Sequence, residues 1–167
     1  MTIILIGFMG AGKTTVGKLL AEKTNSSQID LDKHIVKTIG IPISEYFEKY
    51  GEESFRQLET KILKEHTDFP GVVSPGGGIV LKEENRDILK DMPVVVYLQT
   101  NLDELLHRIE NDYDNYRPVI NGKSVDEVKE IYIPRVPLYE DVADITIDTT
   151  DKTPDEIVDI ILDLVGE

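Results

Sequence analysis

A glycine-rich segment near the start of the chain has the residue types and spacing of a phosphate-binding loop. Residues 7–14 read Gly-Phe-Met-Gly-Ala-Gly-Lys-Thr, in full agreement with the pattern G-x-x-x-x-G-K-[ST]. Glycines allow backbone amides to curl around phosphate oxygens, and the helix that follows points its positive end at the same anion. We expect Lys13 to reach the β- and γ-phosphates and the Thr14 hydroxyl to ligate Mg²⁺. The chain lacks the guanine-reading pattern Asn-Lys-x-Asp, so the predicted nucleotide is ATP.

Two aspartates, Asp30 and Asp32, stand at the end of a predicted strand and are two residues apart. At that spacing they face roughly the same way, towards the ligand crevice at the carboxyl edge of an α/β sheet. Another apolar strand, at 72–74, ends without the acid that often helps to hold Mg²⁺. By elimination we assign Asp30 to the metal, through water, and Asp32 to orienting or deprotonating an acceptor hydroxyl. The competing interpretation is that one of them caps the helix beginning near Lys33.

Arginine is scarce in this chain, with five arginines against thirteen lysines. The planar guanidinium offers five donors in a fork that suits carboxylates and phosphates. Arg56 and Arg135 are candidates for gripping a buried carboxylate, although solvated surface positions are the alternative. Arg117 lies in an irregular polar stretch, where it could close over phosphate as part of a lid.

The composition excludes several classes of protein. A length of 167 residues predicts one domain, residues 1–167, and 40% hydrophobic residues are enough for a core. The net charge of −14 argues against nucleic-acid binding through a basic face. The absence of cysteine excludes disulfides and thiol catalysis. The first residues lack signal-peptide features, and their apolar run is too short to span a bilayer, so we expect the protein in the cytoplasm. We also expect a monomer with no membrane or nucleic-acid partner.

The periodicity of apolar residues alternates between strands and helices along the chain. Strands are predicted at 2–6, 28–31, 72–74, 94–98 and 144–147. Helices are predicted at 14–23, 35–39, 44–50, 53–66, 82–90, 102–110, 125–132 and 154–165, with a mobile loop near 111–123. The pattern predicts an α/β three-layer sandwich, with a five-stranded parallel sheet and helices on both faces.

Along nearly its whole length the chain resembles the shikimate kinase family. The matching segments are GFMGAGKTT at 7–15, DLD at 30–32, ESFRQLE at 53–59, PGGGIV at 75–80, RP at 117–118 and RVPLYEDVAD at 135–144. The resemblance implies ATP-dependent phosphorylation of the 3-hydroxyl of shikimate, a step towards chorismate and the aromatic amino acids. It also implies the fold of nucleoside monophosphate kinases, with a shikimate-binding region at about 31–60 and a lid at about 111–123.

The same resemblance implies a role for individual residues. Shikimate would be held by Asp32, Arg56, Gly77, Gly78 and Arg135, with Asp32 on its hydroxyls and the two arginines on its carboxylate. ATP would be bound by Gly10, Ala11, Gly12, Lys13, Thr14, Thr15, Arg108, Arg117 and Pro154. Asp32, Lys13 and Arg117 would carry the catalysis.

Two other functions remain open on the residues alone. A related small-molecule kinase, such as a gluconate kinase, would also need a base and a grip on a carboxylate. A nucleotide-dependent regulatory protein would need neither, so Asp32, Arg56 and Arg135 would be idle in it. We expect Glu59 to support Arg56, and Phe47 and Phe55 to wall the acceptor site or to pack in the core.

Overall fold

Five short segments form one parallel sheet in the computed structural model, which describes residues 1–110 and 123–166. The strands are β1 (Ile3–Ile6), β2 (Ser27–Asp30), β3 (Gly71–Ser74), β4 (Val94–Gln99) and β5 (Ile145–Asp148). Their order in the sheet is β2-β3-β1-β4-β5, and every described pairing is parallel. Each strand lies within one residue of its predicted bounds, and the predicted fold class is confirmed.

Helices cover the sheet because its central strands are apolar on both faces. All residues of β1 and β3 are buried, as expected for parallel strands with helices above and below. The helices are α1 (Lys13–Lys23), α2 (Leu31–Ile39), α3 (Ile43–Lys64), α4 (Glu83–Lys90), α5 (Leu102–Glu110), α6 (Val125–Val142) and α7 (Pro154–Val165). Within the described ranges, none of them combines the length and apolarity that crossing a membrane requires.

Helix α2 begins four residues earlier than predicted. The side chain of Asp30 accepts a hydrogen bond of 3.2 Å from the Lys33 backbone N–H, which makes Asp30 the N-cap. Asp32 therefore lies in the first turn of a helix, and our placement of it on a strand was wrong. The short polar side chain of Asp30 provided a cap that apolar periodicity alone does not reveal.

Helix α6 continues ten residues past its predicted end at Tyr132, through Pro134 and Pro137. Proline normally ends a helix because it lacks an N–H and crowds the preceding turn. Here Arg135, Tyr139 and Val142 are all buried. Tertiary packing of this face therefore outweighs the local preference.

Helix α3 contains a sharp bend at Gly51, where φ is 82° and ψ is 165°. Residues eight apart in a straight helix would be separated by about 12 Å. Across this bend, however, the Tyr46 hydroxyl lies 2.9 Å from the Ser54 hydroxyl. The Phe47 and Phe55 rings likewise approach to 4.9 Å between centroids. The bend thus folds the first part of α3 over the second and builds an aromatic wall.

Candidate active site

A cavity of about 710 Å³ opens at the carboxyl ends of β1, β2 and β3. Most predicted site residues among those described line it: Gly10, Gly12, Lys13, Thr14, Thr15, Asp30, Asp32, Arg56, Gly77, Gly78, Arg108 and Arg135. Parallel strands bring these residues together because their carboxyl ends share one edge of the sheet. Phe47 and Phe55 also line the cavity, so their rings wall it.

The phosphate loop (residues 7–15) leads from the end of β1 into the first turn of α1. Gly10 and Gly12 have φ of 84° and 92°, which other residues rarely adopt. Gly12 is the N-cap of α1, and no side chain caps that end. The Lys13 ammonium donates to the Gly7 and Phe8 carbonyl oxygens at 2.6 and 3.1 Å, so its charge lies over the loop. The loop can therefore accept an anion through N–H groups, the helix dipole and one cation.

Asp30 and Thr14 meet where the phosphate loop passes the end of β2. The Thr14 hydroxyl donates to Asp30 Oδ2 at 3.0 Å, while Oδ1 serves as the cap of α2. Asp30 therefore caps α2, which was the alternative interpretation, and its other carboxylate oxygen lies beside the hydroxyl that we expect to ligate the metal. Among the described residues, no three carboxylates or histidines cluster as a metal site. One carboxylate beside one hydroxyl fits Mg²⁺, which usually takes its other ligands from water and phosphates.

Asp32 projects from the first turn of α2 against the glycine-rich turn that follows β3. A Cβ atom built on Gly76 would lie 2.8 Å from both of its carboxylate oxygens. Asp32 also lies near enough to Glu59 to help raise the pKa of that residue. Its carboxylate therefore faces the cavity between the phosphate loop and α3, where an acceptor hydroxyl could be reached.

Arg56 is 7% exposed, so the surface interpretation of this residue was wrong. Its Nη1 donates to Glu59 at 3.0 Å, and its Nη2 donates to Glu52 at 3.2 Å. Its Nε is buried and has no hydrogen-bond partner among the described residues. Burial raises the pKa of Glu59 to about 7, while the Arg56 guanidinium opposes that rise. Glu59 thus supports Arg56 as predicted.

Arg135 reaches the same region from α6 and is 4% exposed, so it too is not a surface residue. Its guanidinium carbon lies 5.7 Å from the centroid of the Phe8 ring, within the phosphate loop. Its Nη1 is buried without a hydrogen-bond partner in the described part of the chain. A buried donor without a partner costs free energy unless a ligand or water supplies an acceptor. Arg56 and Arg135 each keep such a donor.

The three glycines after β3 each lie against a different part of the site. A Cβ on Gly76 would meet Asp32, and one on Gly77 would lie 3.3 Å from the Met9 backbone nitrogen. A Cβ on Gly78 would lie 2.6 Å from the Arg56 guanidinium carbon. Glycine is required here for close approach, because side chains would push the surrounding groups apart.

The remaining predicted residues lie at the phosphate loop, away from the lining of the cavity, or outside the described residues. Arg108 donates to the Gly10 carbonyl oxygen at 3.1 Å and to Glu104 at 2.5 Å, so it touches the phosphate loop. Ala11 is buried within that loop. Pro154 is the first residue of α7 and does not line the described cavity. Arg117 and the predicted lid at 111–123, except Lys123, lie outside the described residues.

Comparison with known proteins decides the family. The sequence model of the family described as shikimate kinase matches residues 9–165. The shikimate kinase of Enterococcus faecalis is 46% identical over 166 residues, which are 99% of each chain. The solved structure of the shikimate kinase of Acinetobacter baumannii, in complex with shikimate, has a TM-score of 0.92 and 37% identity, over 98% of this chain and 92% of that one. The chain belongs to the shikimate kinase family.

Membership in the shikimate kinase family confirms the activity that the sequence resemblance implied. The chain is a kinase that phosphorylates shikimate with ATP in aromatic biosynthesis. A gluconokinase from Sinorhizobium meliloti superposes with a TM-score of 0.60 at 18% identity, over 99% of this chain and 91% of that one. A likeness at that identity shows the common fold alone, so it does not favour the gluconate alternative.

Two residues of this shikimate kinase site were missed by sequence reasoning. Gly76 was left out of the predicted shikimate-binding residues, although it belongs to the same run of three glycines and lies against Asp32. Glu52 was not linked to Arg56, although a spacing of four residues on a helix places them side by side. Helical spacing was the available signal for Glu52, and the glycine run was the signal for Gly76.

Proposed function

We propose that the cavity binds the carboxylate of shikimate between Arg56 and Arg135. The observation that carries this proposal is the pair of buried guanidinium donors, Arg56 Nε and Arg135 Nη1, that lack a partner among the described residues. A carboxylate has two oxygens and accepts charge-assisted hydrogen bonds from such forks. Glu59 and Glu52 already hold the other face of Arg56, which fixes the direction of the free donor.

We assign the phosphates of ATP to the phosphate loop. The amides after Gly10 and Gly12 and the N-terminus of α1 supply donors, and Thr15 lies in the first turn of that helix. Lys13 moves from loop carbonyls to the β- and γ-phosphates, where it stabilises the charge that develops during transfer. The backbone of Ala11 belongs to the same loop.

Asp32 is assigned the role of general base. It takes the proton of the shikimate 3-hydroxyl as that oxygen bonds to the terminal phosphorus and the bond to ADP breaks. The products are shikimate 3-phosphate and ADP. Gly77 and Gly78 bring their backbone against the acceptor, since they carry no side chain that would keep it away.

Mg²⁺ is assigned to Thr14 directly and to Asp30 through water. The ion would neutralise phosphate charge while the phosphoryl group moves. Arg117 is assigned to a lid at 111–123 that closes over phosphate, where it would stabilise the charge of the transition state. Arg108 and Pro154 are assigned to binding the adenine. Region 31–60 is assigned to the acceptor, and residues 1–167 are treated as one kinase domain.

We further propose that the protein acts as a monomer in the cytoplasm. The exposed large apolar side chains on described helices are spread over α2, α3, α6 and α7. Apolar side chains that are exposed singly are normal on the surface of monomeric proteins. Sedimentation at several protein concentrations is expected to show one species of monomer mass.

The proposal is tested with Arg135→Ala and two acceptors, shikimate and its uncharged carboxamide. We expect the KM for shikimate to rise about 10- to 100-fold, because a charge-assisted buried contact is lost. The carboxamide should lose far less, so the two acceptors separate the carboxylate contact from general damage. A coupled assay of ADP release measures the KM for each acceptor.

The matched control is Arg86→Ala, another arginine that follows the glycine run. Arg86 donates to the Val80 and Leu81 carbonyl oxygens and does not line the described cavity. We expect this variant to keep the KM of shikimate. Equal losses on shikimate and carboxamide in Arg135→Ala would overturn the assignment of Arg135 to the carboxylate.

A further inference from the structure

We call the part of the cavity assigned to shikimate the acceptor side; it comprises Asp32, Arg56, Gly77, Gly78 and Arg135. Tyr139 lies one helical turn after Arg135 on α6 and contacts this side through Gly77. Its side chain is fully buried, and its ring stacks on Tyr97 with 5.0 Å between centroids and 28° between ring planes. Its hydroxyl donates a hydrogen bond of 2.6 Å to the Gly77 carbonyl oxygen. Tyr139 is not among the residues that line the described cavity. Any influence on the acceptor therefore passes through other residues.

The carbonyl that Tyr139 holds belongs to the peptide group between Gly77 and Gly78. A peptide group is planar, so fixing the direction of its carbonyl also fixes the direction of the Gly78 N–H. Gly78 is the residue whose backbone lies against the Arg56 guanidinium. The Tyr139 hydroxyl thus sets the orientation of a peptide group on the acceptor side of the cavity.

The turn of α6 that carries Arg135 is held only weakly by its own backbone. Pro134 and Pro137 lie inside the helix and have no N–H to donate. The carbonyls of Glu130 and Ile133 therefore lose their usual helical partners, and the two prolines stand on either side of Arg135. A side-chain hydrogen bond to a point outside the helix consequently matters more here than in an uninterrupted helix.

We propose that Tyr139 is a positioning residue for acceptor binding, because its hydroxyl keeps the Gly77–Gly78 peptide and the Arg135 turn of α6 in a fixed position relative to each other. Arg135 and the Gly78 backbone then reach the same bound molecule. This inference rests on the proposed function, in which both of them contact shikimate. It goes further by assigning a buried residue that does not contact the substrate.

The state of the Tyr139 hydroxyl supports a geometric role. Burial raises the pKa of Tyr139 to about 12, against the opposing influence of Arg135. The hydroxyl therefore remains a donor at any pH where a kinase works. Its contribution adds no ionisation to the pH profile of kcat/KM.

The test begins with Tyr139→Phe, which removes the hydroxyl and keeps the ring on Tyr97. We expect the KM for shikimate to rise about tenfold while the KM for ATP stays within twofold and the pH profile keeps its shape. The matched control is Tyr132→Phe, the same change on the same helix. Tyr132 donates to the Thr100 carbonyl oxygen at 3.3 Å, away from the glycine run. Both KM values of that control should stay within twofold.

A second variant removes the same hydrogen bond without leaving a cavity that could destabilise the fold. Tyr139→4-fluorophenylalanine fills the space of the hydroxyl but cannot donate a hydrogen bond. Its KM for shikimate is expected to rise at least as much as in Tyr139→Phe. Thermal unfolding of all variants establishes which of them are folded at the assay temperature.

The outcomes separate this inference from the proposed function. An unchanged shikimate KM in a folded Tyr139 variant overturns the inference, as does an equal rise for shikimate and ATP. Arg135→Ala is measured alongside. If Arg135→Ala keeps shikimate binding, the proposed acceptor site is wrong; if only Arg135→Ala loses it, the role of Tyr139 alone is wrong.

Discussion

The phosphate loop and the acceptor side of the cavity are built in opposite ways. The phosphate loop is one continuous segment, and its donors are backbone amides and Lys13. The acceptor side collects Asp32 from α2, Arg56 from α3, the glycine run after β3 and Arg135 from α6. The loop lies at a helix end, whereas the two arginines are buried among core residues.

This difference determines how each side responds to change. A continuous loop can lose a side chain without loss of the fold, because local backbone geometry holds it. The acceptor side shares its residues with the protein interior, where Arg56 and Glu59 are both buried. Substitution there alters binding and stability together.

The largest effect is expected from Lys13→Ala on the phosphate loop. We expect kcat/KM to fall at least about 10³-fold, since the charge that stabilises transferring phosphate is lost. The melting temperature should change little, because the Lys13 ammonium bonds the Gly7 and Phe8 carbonyl oxygens of the loop and is not part of the hydrophobic core. Steady-state kinetics and thermal unfolding measure the two quantities. Near-normal turnover in the folded variant would contradict the phosphate-loop assignment.

Asp32→Asn should lower kcat by about 10²- to 10³-fold and leave ATP binding intact. The amide keeps the shape of the side chain but cannot accept a proton as the carboxylate does. The matched variant is Asp30→Asn, which should mainly raise the Mg²⁺ concentration needed for half-maximal rate. Titration of both variants with Mg²⁺ is the measurement. If Asp32→Asn changed only the Mg²⁺ requirement, the two roles would be exchanged.

Gly78→Ala is expected to raise the KM for shikimate about 10- to 100-fold. Its Cβ would lie 2.6 Å from the Arg56 guanidinium carbon, so Arg56 must leave its position beside Glu59. The control is Gly40→Ala, where a Cβ meets nothing within 4 Å but φ is +75°. That control should lose about 1 kcal/mol of stability and keep its KM. A normal shikimate KM in Gly78→Ala would show that the close packing is unnecessary.

The smallest expected effect is the pH dependence that Glu59 gives to the free energy of unfolding. Its pKa is about 7 in the folded protein against the usual 4.5, chiefly because it is buried. The folded state therefore holds a proton that the unfolded state releases, so this stability is present at low pH and lost as pH rises through 7. Relative to Glu59→Gln, the free energy of unfolding should fall by about 1 kcal/mol between pH 6 and 8. Denaturant titrations measure these free energies of unfolding. If the difference between the protein and Glu59→Gln is the same at pH 6 and at pH 8, the pKa of Glu59 is not raised.

Local patterns were sufficient to predict the sheet and the phosphate loop. The central strands β1 and β3 appear as short apolar runs because both of their faces are covered. Prediction was wrong where a side chain or distant packing intervened. Asp30 started α2 early through a cap, and the buried face of Arg135 and Tyr139 carried α6 past two prolines.

By itself the sequence determined the nucleotide side of this protein, since the geometry of residues 7–15 depends on glycines and on a helix that begins beside them. It also nominated Arg56 and Arg135 as scarce guanidinium donors. Only the tertiary structure decided that these arginines, roughly eighty residues apart, are buried with donors that have no partner among the described residues, and that the three glycines after β3 lie against Asp32, the phosphate loop and Arg56. Burial and close approach are created by segments distant in sequence, and no local pattern encodes them.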